Sequence, residues 1–216
     1  AALTVFTRAI DPQPDYAQAY NNRGNTHINK EDYSAALTDL TRAIELRPDL
    51  PEPYNNRGRM YKKTGDYPAA LIDITRAIEL QPDLPESYSN RGTTYNEMGD
   101  YSAAVADFSR TIELRPDYAE AYNIRGLTYA VMEDYSAALT DYTRAIELQP
   151  DYVEAYKNRG HIYNETEIYP AALTDYTRAI ELQPDSAEAY YNRGLIYDRI
   201  EDYSAALTDL TRAIEL

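Results

Sequence analysis

Cysteine and tryptophan are absent from the 216 residues, and only two phenylalanines and two histidines occur. Without cysteine the chain can form neither disulfides nor thiolate sites. No apolar run approaches the roughly 18 residues that a membrane-spanning helix needs, so we expect no membrane insertion. Basic residues are few, because 21 of them stand against 36 acids and the net charge is −15. A nucleic-acid-binding surface needs a basic face, so no nucleic-acid partner is predicted.

The amino end has neither a starting methionine nor a signal segment of basic and then apolar residues. Residues 1–10 already resemble the middle of a repeat, so we expect the chain to be a fragment of a longer protein. A chain without cysteine suits the cytoplasm and the periplasm, which leaves the compartment open, with the cytoplasm favoured. The excess of acid is explained by solubility alone, or it favours basic or neutral partners.

The chain contains a repeat with a step of 34 residues. The tripeptide Asn-Arg-Gly begins at Asn22 and recurs at this step through six copies, with Ile124 replacing asparagine in the fourth. A second marker, Arg-Ala-Ile-Glu-Leu or a close variant, begins at Arg42 and keeps the same step. No insertion interrupts the count, so we expect neither a linker nor a second domain.

Each unit contains two amphipathic segments. In the fourth unit, apolar residues recur at helical spacing over residues 119–132 and again over residues 135–148. Asp134 precedes the second segment and is placed to cap it. Asp117 followed by Glu120 has the spacing of a capping box for the first. Each unit is therefore predicted to be a helix–turn–helix hairpin.

This pattern resembles the tetratricopeptide repeat over the whole chain. The family's series of an aromatic, Leu-Gly, Tyr, Ala, an aromatic and Pro corresponds here to Tyr122, Arg125-Gly126, Tyr129, Ala138, Tyr142 and Pro150. The resemblance implies an all-α fold, a right-handed superhelical solenoid of antiparallel helix pairs. We predict one array, 1–216, with the second helix of an incomplete repeat at residues 1–16. The six complete repeats are predicted at residues 17–50, 51–84, 85–118, 119–152, 153–186 and 187–216. The Asn-Arg-Gly variant is similar to that of bacterial arrays, cyanobacterial ones especially.

Recurring small and aromatic residues predict how the helices pack. A mid-helix glycine such as Gly126 costs about 1 kcal/mol relative to alanine, so we expect close backbone contact there, with Ala138 opposite. Tyrosines open both helices of each unit, as Tyr122 and Tyr135 do. We expect them to pack in the core with their hydroxyls at the edge, rather than to form a binding platform.

An arginine stands in all six units where the family usually has leucine, and each second helix carries an aspartate. An arginine there without a partner would cost several kcal/mol. Pairing inside a hairpin, as Arg125 with Asp141, leaves no charge unmatched, whereas pairing to the preceding unit would leave Arg23 and Asp209 alone. We therefore expect pairing within each hairpin.

In this family the first helices line a concave groove that receives an extended peptide or a helix, which implies a scaffold for protein–protein interaction. Carried over by register, the candidate groove residues differ between repeats. They are Asn21, Asn25, Ile28, Asn55, Arg59, Lys62, Ser89, Thr93, Asn96, Asn123, Leu127, Ala130, Lys157, His161, Asn164, Tyr191, Leu195 and Asp198. Asparagine amides suit hydrogen bonds to a peptide backbone. Arg59, Lys62 and Lys63 form a basic patch for an acidic side chain or a C-terminal carboxylate, or are a solvated helix face.

No enzymatic activity, cofactor or metal is predicted. The two histidines, His27 and His161, lie four repeats apart, and zinc needs three or four close nitrogen or sulfur ligands. There is no phosphate-binding glycine loop. Two other functions stay open. The chain could be a regulatory or targeting segment of a larger, enzymatic protein, or an array that self-assembles end to end, because no polar helix covers its ends.

Overall fold

The computed structural model describes residue 3, residues 5 and 6, residue 10 and residues 15–216. Residues 3, 5, 6 and 10 are helical, while most of the lone helix predicted within residues 1–16 lies outside the described residues. From residue 15 onward the chain forms twelve helices and no strand, arranged as six hairpins. The predicted all-α fold of paired helices is confirmed.

In each hairpin a first helix is followed by a second. The first helices are α1 (Ala17–Asn29), α3 (Pro51–Lys63), α5 (Pro85–Met98), α7 (Ala119–Val131), α9 (Val153–Glu165) and α11 (Ala187–Arg199). The second helices are α2 (Tyr33–Leu46), α4 (Tyr67–Leu80), α6 (Tyr101–Leu114), α8 (Tyr135–Leu148), α10 (Tyr169–Leu182) and α12 (Tyr203–Glu215). Contacts between Cα atoms divide the chain into two compact units, Ala1–Leu114 and Arg115–Leu216.

In the fourth hairpin, the start of the second helix follows the predicted pattern and the start of the first helix does not. The carboxylate of Asp134 accepts a hydrogen bond from the amide of Ala137 at 3.1 Å, as predicted for a cap. The predicted Asp117 cap of the first helix is wrong. Tyr118 is the N-cap of α7 and makes no capping bond, and Glu120 instead accepts a hydrogen bond from the Tyr118 hydroxyl at 3.0 Å. The chain enters the first helix one residue later than the capping box requires.

One residue of each described turn inside a hairpin has left-handed backbone geometry. Gly65 and Gly99 hold this place in two hairpins, with φ of 81° and 80°. Four glutamates hold it in the others, with φ between 59° and 65°: Glu31, Glu133, Glu167 and Glu201. A residue with a Cβ pays about 1–2 kcal/mol for this geometry, so four turns are strained where two are not.

The contact inside each hairpin depends on the mid-helix glycine. A Cβ added to Gly58 would lie 2.5 Å from Cγ1 of Ile74 and 3.1 Å from the carbonyl oxygen of Ala70. The expected close approach is confirmed, but the alanine side chain is not the nearest partner. The large side chain one turn later fills the place, because a helical side chain leans over the turn before its own Cα. These partners are Leu40, Ile74, Phe108, Tyr142, Tyr176 and Leu210.

Candidate binding surface on the first helices

An arginine–aspartate pair fixes each first helix to its second helix. Nε and Nη2 of Arg159 donate to the two carboxylate oxygens of Asp175, both at 2.8 Å. The same two bonds recur in all six hairpins at 2.6–2.9 Å. The aspartate side chains are at most 8% exposed and the arginines 16–21%. Pairing within the hairpin is therefore confirmed, and these charged groups hold the two helices of each hairpin together.

The same arginine also reaches the preceding hairpin. Nη1 of Arg159 donates to Oγ1 of Thr143 at 3.0 Å, and its guanidinium carbon lies 5.9 Å from the ring centroids of Tyr156 and Tyr163. The Tyr156 hydroxyl donates to the carbonyl of Pro150 at 3.3 Å, at the edge of the packed ring. Equivalent arginine–threonine bonds are made by Arg57, Arg91 and Arg193. In these four repeats, one arginine thus ties its own hairpin together and to the hairpin before it.

Three candidate asparagines lie between neighbouring first helices and not on the surface. Asn21, Asn55 and Asn123 are 3%, 8% and 4% exposed. Oδ1 of Asn21 accepts a hydrogen bond from Nδ2 of Asn56 at 2.9 Å. The same bond joins Asn90 to Asn55 and Asn158 to Asn123, at 3.1 and 3.0 Å. The expectation that these three amides face a peptide backbone is wrong, because they already bond the adjacent helix.

Ile28 is also excluded from the candidate binding surface, because it is buried. Its side chain is fully buried and packs with Leu40 and Met60 in the core of the first two hairpins. The register that places a residue on the first-helix surface in one repeat therefore places it in the core in another.

In the unit Ala1–Leu114, the half-exposed candidates meet at Arg59. Its Nη1 donates to Oδ1 of Asn25 on α1 at 3.2 Å and to Oδ1 of Asn56 at 3.3 Å. Lys62 follows one turn later, with Nζ 4.0 Å from a carboxylate oxygen of Glu97 on α5. Burial lowers the pKa of Lys62, the Glu97 carboxylate opposes that shift, and the charge of Arg59 adds to it. The two cations are therefore close together and partly withdrawn from water.

On α5, one of the candidate side chains makes its hydrogen bonds within its own helix. Ser89, Thr93 and Asn96 are half-buried. Oγ1 of Thr93 donates to the backbone carbonyls of Ser89 and Asn90 at 2.8 and 3.0 Å, and so satisfies its own helix. Arg59 and Lys62 are left as the distinctive charged groups among the candidates of this unit.

In the unit Arg115–Leu216, the exposed candidates are mainly apolar. Leu127 on α7 and Leu195 on α11 are 40% and 39% exposed, and Tyr191 is 51% exposed. His161, at the equivalent register of the intervening α9, is also exposed. The polar candidates are less available, because Nζ of Lys157 lies 2.6 Å from a carboxylate oxygen of Glu188. Oδ1 of Asn164 is buried without a hydrogen-bond partner.

Sequence reasoning missed Asn56, which bonds both Arg59 and Asn21. A signal was present, because Asn56 is the asparagine of its Asn-Arg-Gly copy and stands 35 residues after another asparagine. The same separation recurs for Asn90 and for Asn158. The described residues contain no cluster of three metal-binding side chains. None of the described helices is long and apolar enough to cross a membrane.

Several solved structures share this architecture. MamA from Desulfovibrio magneticus RS-1 superimposes with a TM-score of 0.71 at 23% identity, over 77% of this chain and 94% of that chain. PilF from Pseudomonas aeruginosa gives 0.81 at 15% identity, over 89% and 88%. YrrB, described as a TPR protein with an unusual peptide-binding site, gives 0.67 at 26% identity, over 82% and 91%.

No curated protein matches the chain. Tetratricopeptide repeat models match residues 24–87 and 66–128, and also residues 119–152 and 187–216. A TPR repeat model matches residues 160–201. Because these matches together span most of the chain, and the helices pair as hairpins throughout the described part, the chain belongs to the tetratricopeptide repeat family.

Proposed function

We propose that this chain is a scaffold that binds a protein or peptide on the exposed surface of its first helices. The observation that carries the proposal is a contrast between two exposed surfaces. On the second helices the same Arg–Glu ion pair, three residues apart, recurs in all six hairpins. On the first helices, the register occupied by Arg59 holds a different kind of side chain in neighbouring repeats, such as Asn25, Thr93, Leu127 and His161.

Exposure alone does not explain this contrast, since both surfaces are accessible and the first helices vary more than the second helices, where Ile72 is an exception to a register that holds threonine in four repeats. A set of different side chains on a repeated backbone is what selective recognition of an irregular ligand requires. Stacked repeats also provide an extended surface on which a ligand can contact several repeats at once. The similarity to YrrB, whose description names a peptide-binding site, supports the same class of function.

The proposal is tested with peptides selected from a random library by the full chain. Their affinity is then measured for the chain, for Arg59→Ala, for Leu195→Ala, and for the control Arg178→Ala in an exposed ion pair of α10. We expect at least one of the two first-helix substitutions to weaken each peptide, and Arg178→Ala to weaken none. Peptides that bind all four proteins equally would show that the first helices are not the binding surface.

A second candidate, end-to-end association, is favoured by an exposed apolar face of helix α12. Leu207 and Ile214 on α12 are 69% and 87% exposed, whereas Leu173 and Ile180 at the same register of α10 are largely covered by the next hairpin. An exposed apolar face of this kind favours association. Sedimentation of the chain across a hundredfold concentration range, beside a Leu207→Glu/Ile214→Glu variant, tests it. A monomer at every concentration would remove this candidate.

A further inference from the structure

We propose that helix α3 forms an anion site, at Arg59 with Lys62 and Lys63, which takes the carboxylate of an acidic peptide. The inference rests on the proposed function and names the chemical class of the ligand for the unit Ala1–Leu114. It depends on the net charge of α3, on the Nε and Nη2 groups of Arg59, and on the burial of the Lys62 ammonium group.

Positive charge is concentrated on α3. This helix carries four basic residues and one acid, so its net charge is +3, in a chain whose net charge is −15. The other five first helices have net charges between −1 and +1. Chain composition disfavours an anionic ligand, and α3 is the exception to that composition.

Among these four cations, only Arg57 makes an ion pair shorter than 4.0 Å with the described residues, while Nζ of Lys62 lies 4.0 Å from a carboxylate oxygen of Glu97. Arg57 makes the structural pair with Asp73, at 2.6 and 2.9 Å. Arg59 contacts two neutral amide oxygens, both through Nη1. Its Nε and Nη2 have no partner among the described residues. Neutral amides orient the guanidinium without cancelling its charge, and the edge formed by Nε and Nη2 is the one that pairs with a carboxylate through two parallel bonds.

The fold already uses this geometry. In every hairpin, Nε and Nη2 of the motif arginine hold both oxygens of an aspartate, as in the pair of Arg57 with Asp73. Arg59 is two residues further along the same helix, and its two hydrogen bonds both use Nη1, so they leave the same two nitrogens available. A carboxylate from another chain would complete a second bond pair of the same kind.

Lys62 and Lys63 strengthen the site. The Lys62 side chain is 20% exposed, and its acidic neighbour, Glu97, lies at the 4.0 Å limit of an ion pair. Lys63 is exposed and makes no ion pair among the described residues. A carboxylate bound beside Lys62 would compensate for the hydration that the ammonium group loses on burial, and it would offset the repulsion from Arg59 and Lys63. A bound anion therefore relieves a charge imbalance that the folded chain does not resolve internally.

The test uses a displayed library of random heptapeptides with free carboxyl termini. The full chain, Arg59→Gln, Lys62→Gln and the control Arg199→Gln each select from the same library. The Arg199→Gln substitution removes an equal charge from an exposed position on α11. The fraction of Asp and Glu in the selected peptides is compared with that of the starting library. Circular dichroism verifies that all four proteins are folded, and a thermal melt compares their stabilities.

We expect the chain and Arg199→Gln to enrich acidic peptides, and Arg59→Gln to lose this enrichment. A selected peptide should bind the chain about tenfold more tightly than its version with every Glu and Asp changed to Gln or Asn and the terminus amidated. That ratio should fall to about two or less with Arg59→Gln, and be reduced with Lys62→Gln.

The remaining outcomes separate the two proposals. Selection of peptides without acid enrichment overturns the anion site and leaves the scaffold intact. Selection of no peptides by any of the proteins overturns the proposed scaffold, and the acidic-peptide site with it. A titration with inorganic phosphate, followed by the NMR signals of the Arg59 Nε–H group, is the last arm. Phosphate binding without any peptide binding would show a site for small free anions, which contradicts a peptide carboxylate as the ligand.

Discussion

The arginine–aspartate pairs make a quantitative prediction, which we develop for Arg159 and Asp175. Removing one partner of a buried ion pair typically costs about 3–5 kcal/mol, because the other charge stays behind without compensation. After Asp175→Ala, the remaining Arg159 is 17% exposed and keeps its bond to Thr143. Partial solvation lowers the cost, so we expect a loss of about 2–3 kcal/mol in the free energy of unfolding.

Arg159→Leu is expected to cost more. It leaves Asp175, only 4% exposed, without its two hydrogen bonds, and it also removes the bond to the preceding hairpin through Thr143. We expect a loss of about 3–5 kcal/mol. Replacing both residues, Arg159→Leu with Asp175→Ala, removes the uncompensated charge. The double variant should therefore lose less than the sum of the single variants, with a coupling of about 1–3 kcal/mol.

Urea unfolding followed by circular dichroism measures these energies, provided that the slope with urea is the same for all variants. The control is Glu181→Ala on the same helix, which breaks the exposed pair with Arg178. A solvent-exposed pair of this kind contributes little to stability. If Asp175→Ala costs no more than Glu181→Ala, or if the double variant equals the sum, the pair is not a buried structural element and the reasoning fails.

Three further predictions concern the backbone and the core. Gly58→Ala should destabilise the chain by about 1–3 kcal/mol, because the added methyl group overlaps a second-helix side chain and this outweighs the gain in helix propensity. Glu133→Gly should stabilise it by about 1 kcal/mol, and Gly65→Ala should destabilise it by a similar amount, since both turn residues have positive φ. Burial raises the pKa of Tyr142 and Tyr176 above the ordinary value of about 10, so folding favours the neutral hydroxyls. Their contribution is complete below pH 10 and is lost as pH rises through the raised pKa, so phenylalanine at both positions should reduce the loss of stability in alkali.

Each of these predictions has a control within the chain. Gly160→Ala should cost less than Gly58→Ala, because a Cβ there meets Tyr176 atoms at 3.2–3.3 Å, compared with 2.5 Å at Gly58. Urea midpoints compare the glycine variants. Midpoints between pH 8 and pH 11 compare the tyrosine variants, with Tyr135→Phe at a half-exposed position as the control. A stabilising Gly58→Ala, a neutral Glu133→Gly, or an alkaline profile unchanged by the double phenylalanine variant would each contradict the corresponding explanation.

The repeat alone was sufficient to predict the helix pairs and the ion pairs. A fixed step places equivalent residues in equivalent surroundings, so any proposal for Arg125 had to hold for the other copies as well. That requirement favoured Asp141 over the aspartate of the preceding hairpin, because only the first scheme left every charge matched. The prediction succeeded because a buried charge without a partner is too costly to be repeated six times.

The predictions failed where a shift of one residue decides whether a side chain is buried or caps a helix. Asn55 and Asn56 are adjacent in the sequence, and only packing between neighbouring first helices determines that Asn55 is the buried acceptor. The cap predicted at Asp117 failed for a related reason, because the loop places Tyr118 at the start of α7. Helical periodicity identifies the face of a helix, but it does not specify how far a neighbouring helix covers that face.

Net charge gives a misleading picture of this surface, because most cations are paired with acids in the described part of the chain. The motif arginines are held by aspartates, and the exposed arginines of the second helices are held by glutamates. The cations that stay available are therefore few, and Arg59, Lys62 and Lys63 lie together on α3. Salt screens the interaction between a charged peptide and the chain beyond a Debye length, which is about 8 Å at physiological salt. An acidic peptide should thus be repelled on approach and attracted on contact. Added salt should speed its association by screening the repulsion and also speed its dissociation, whereas a simple basic surface would show slower association.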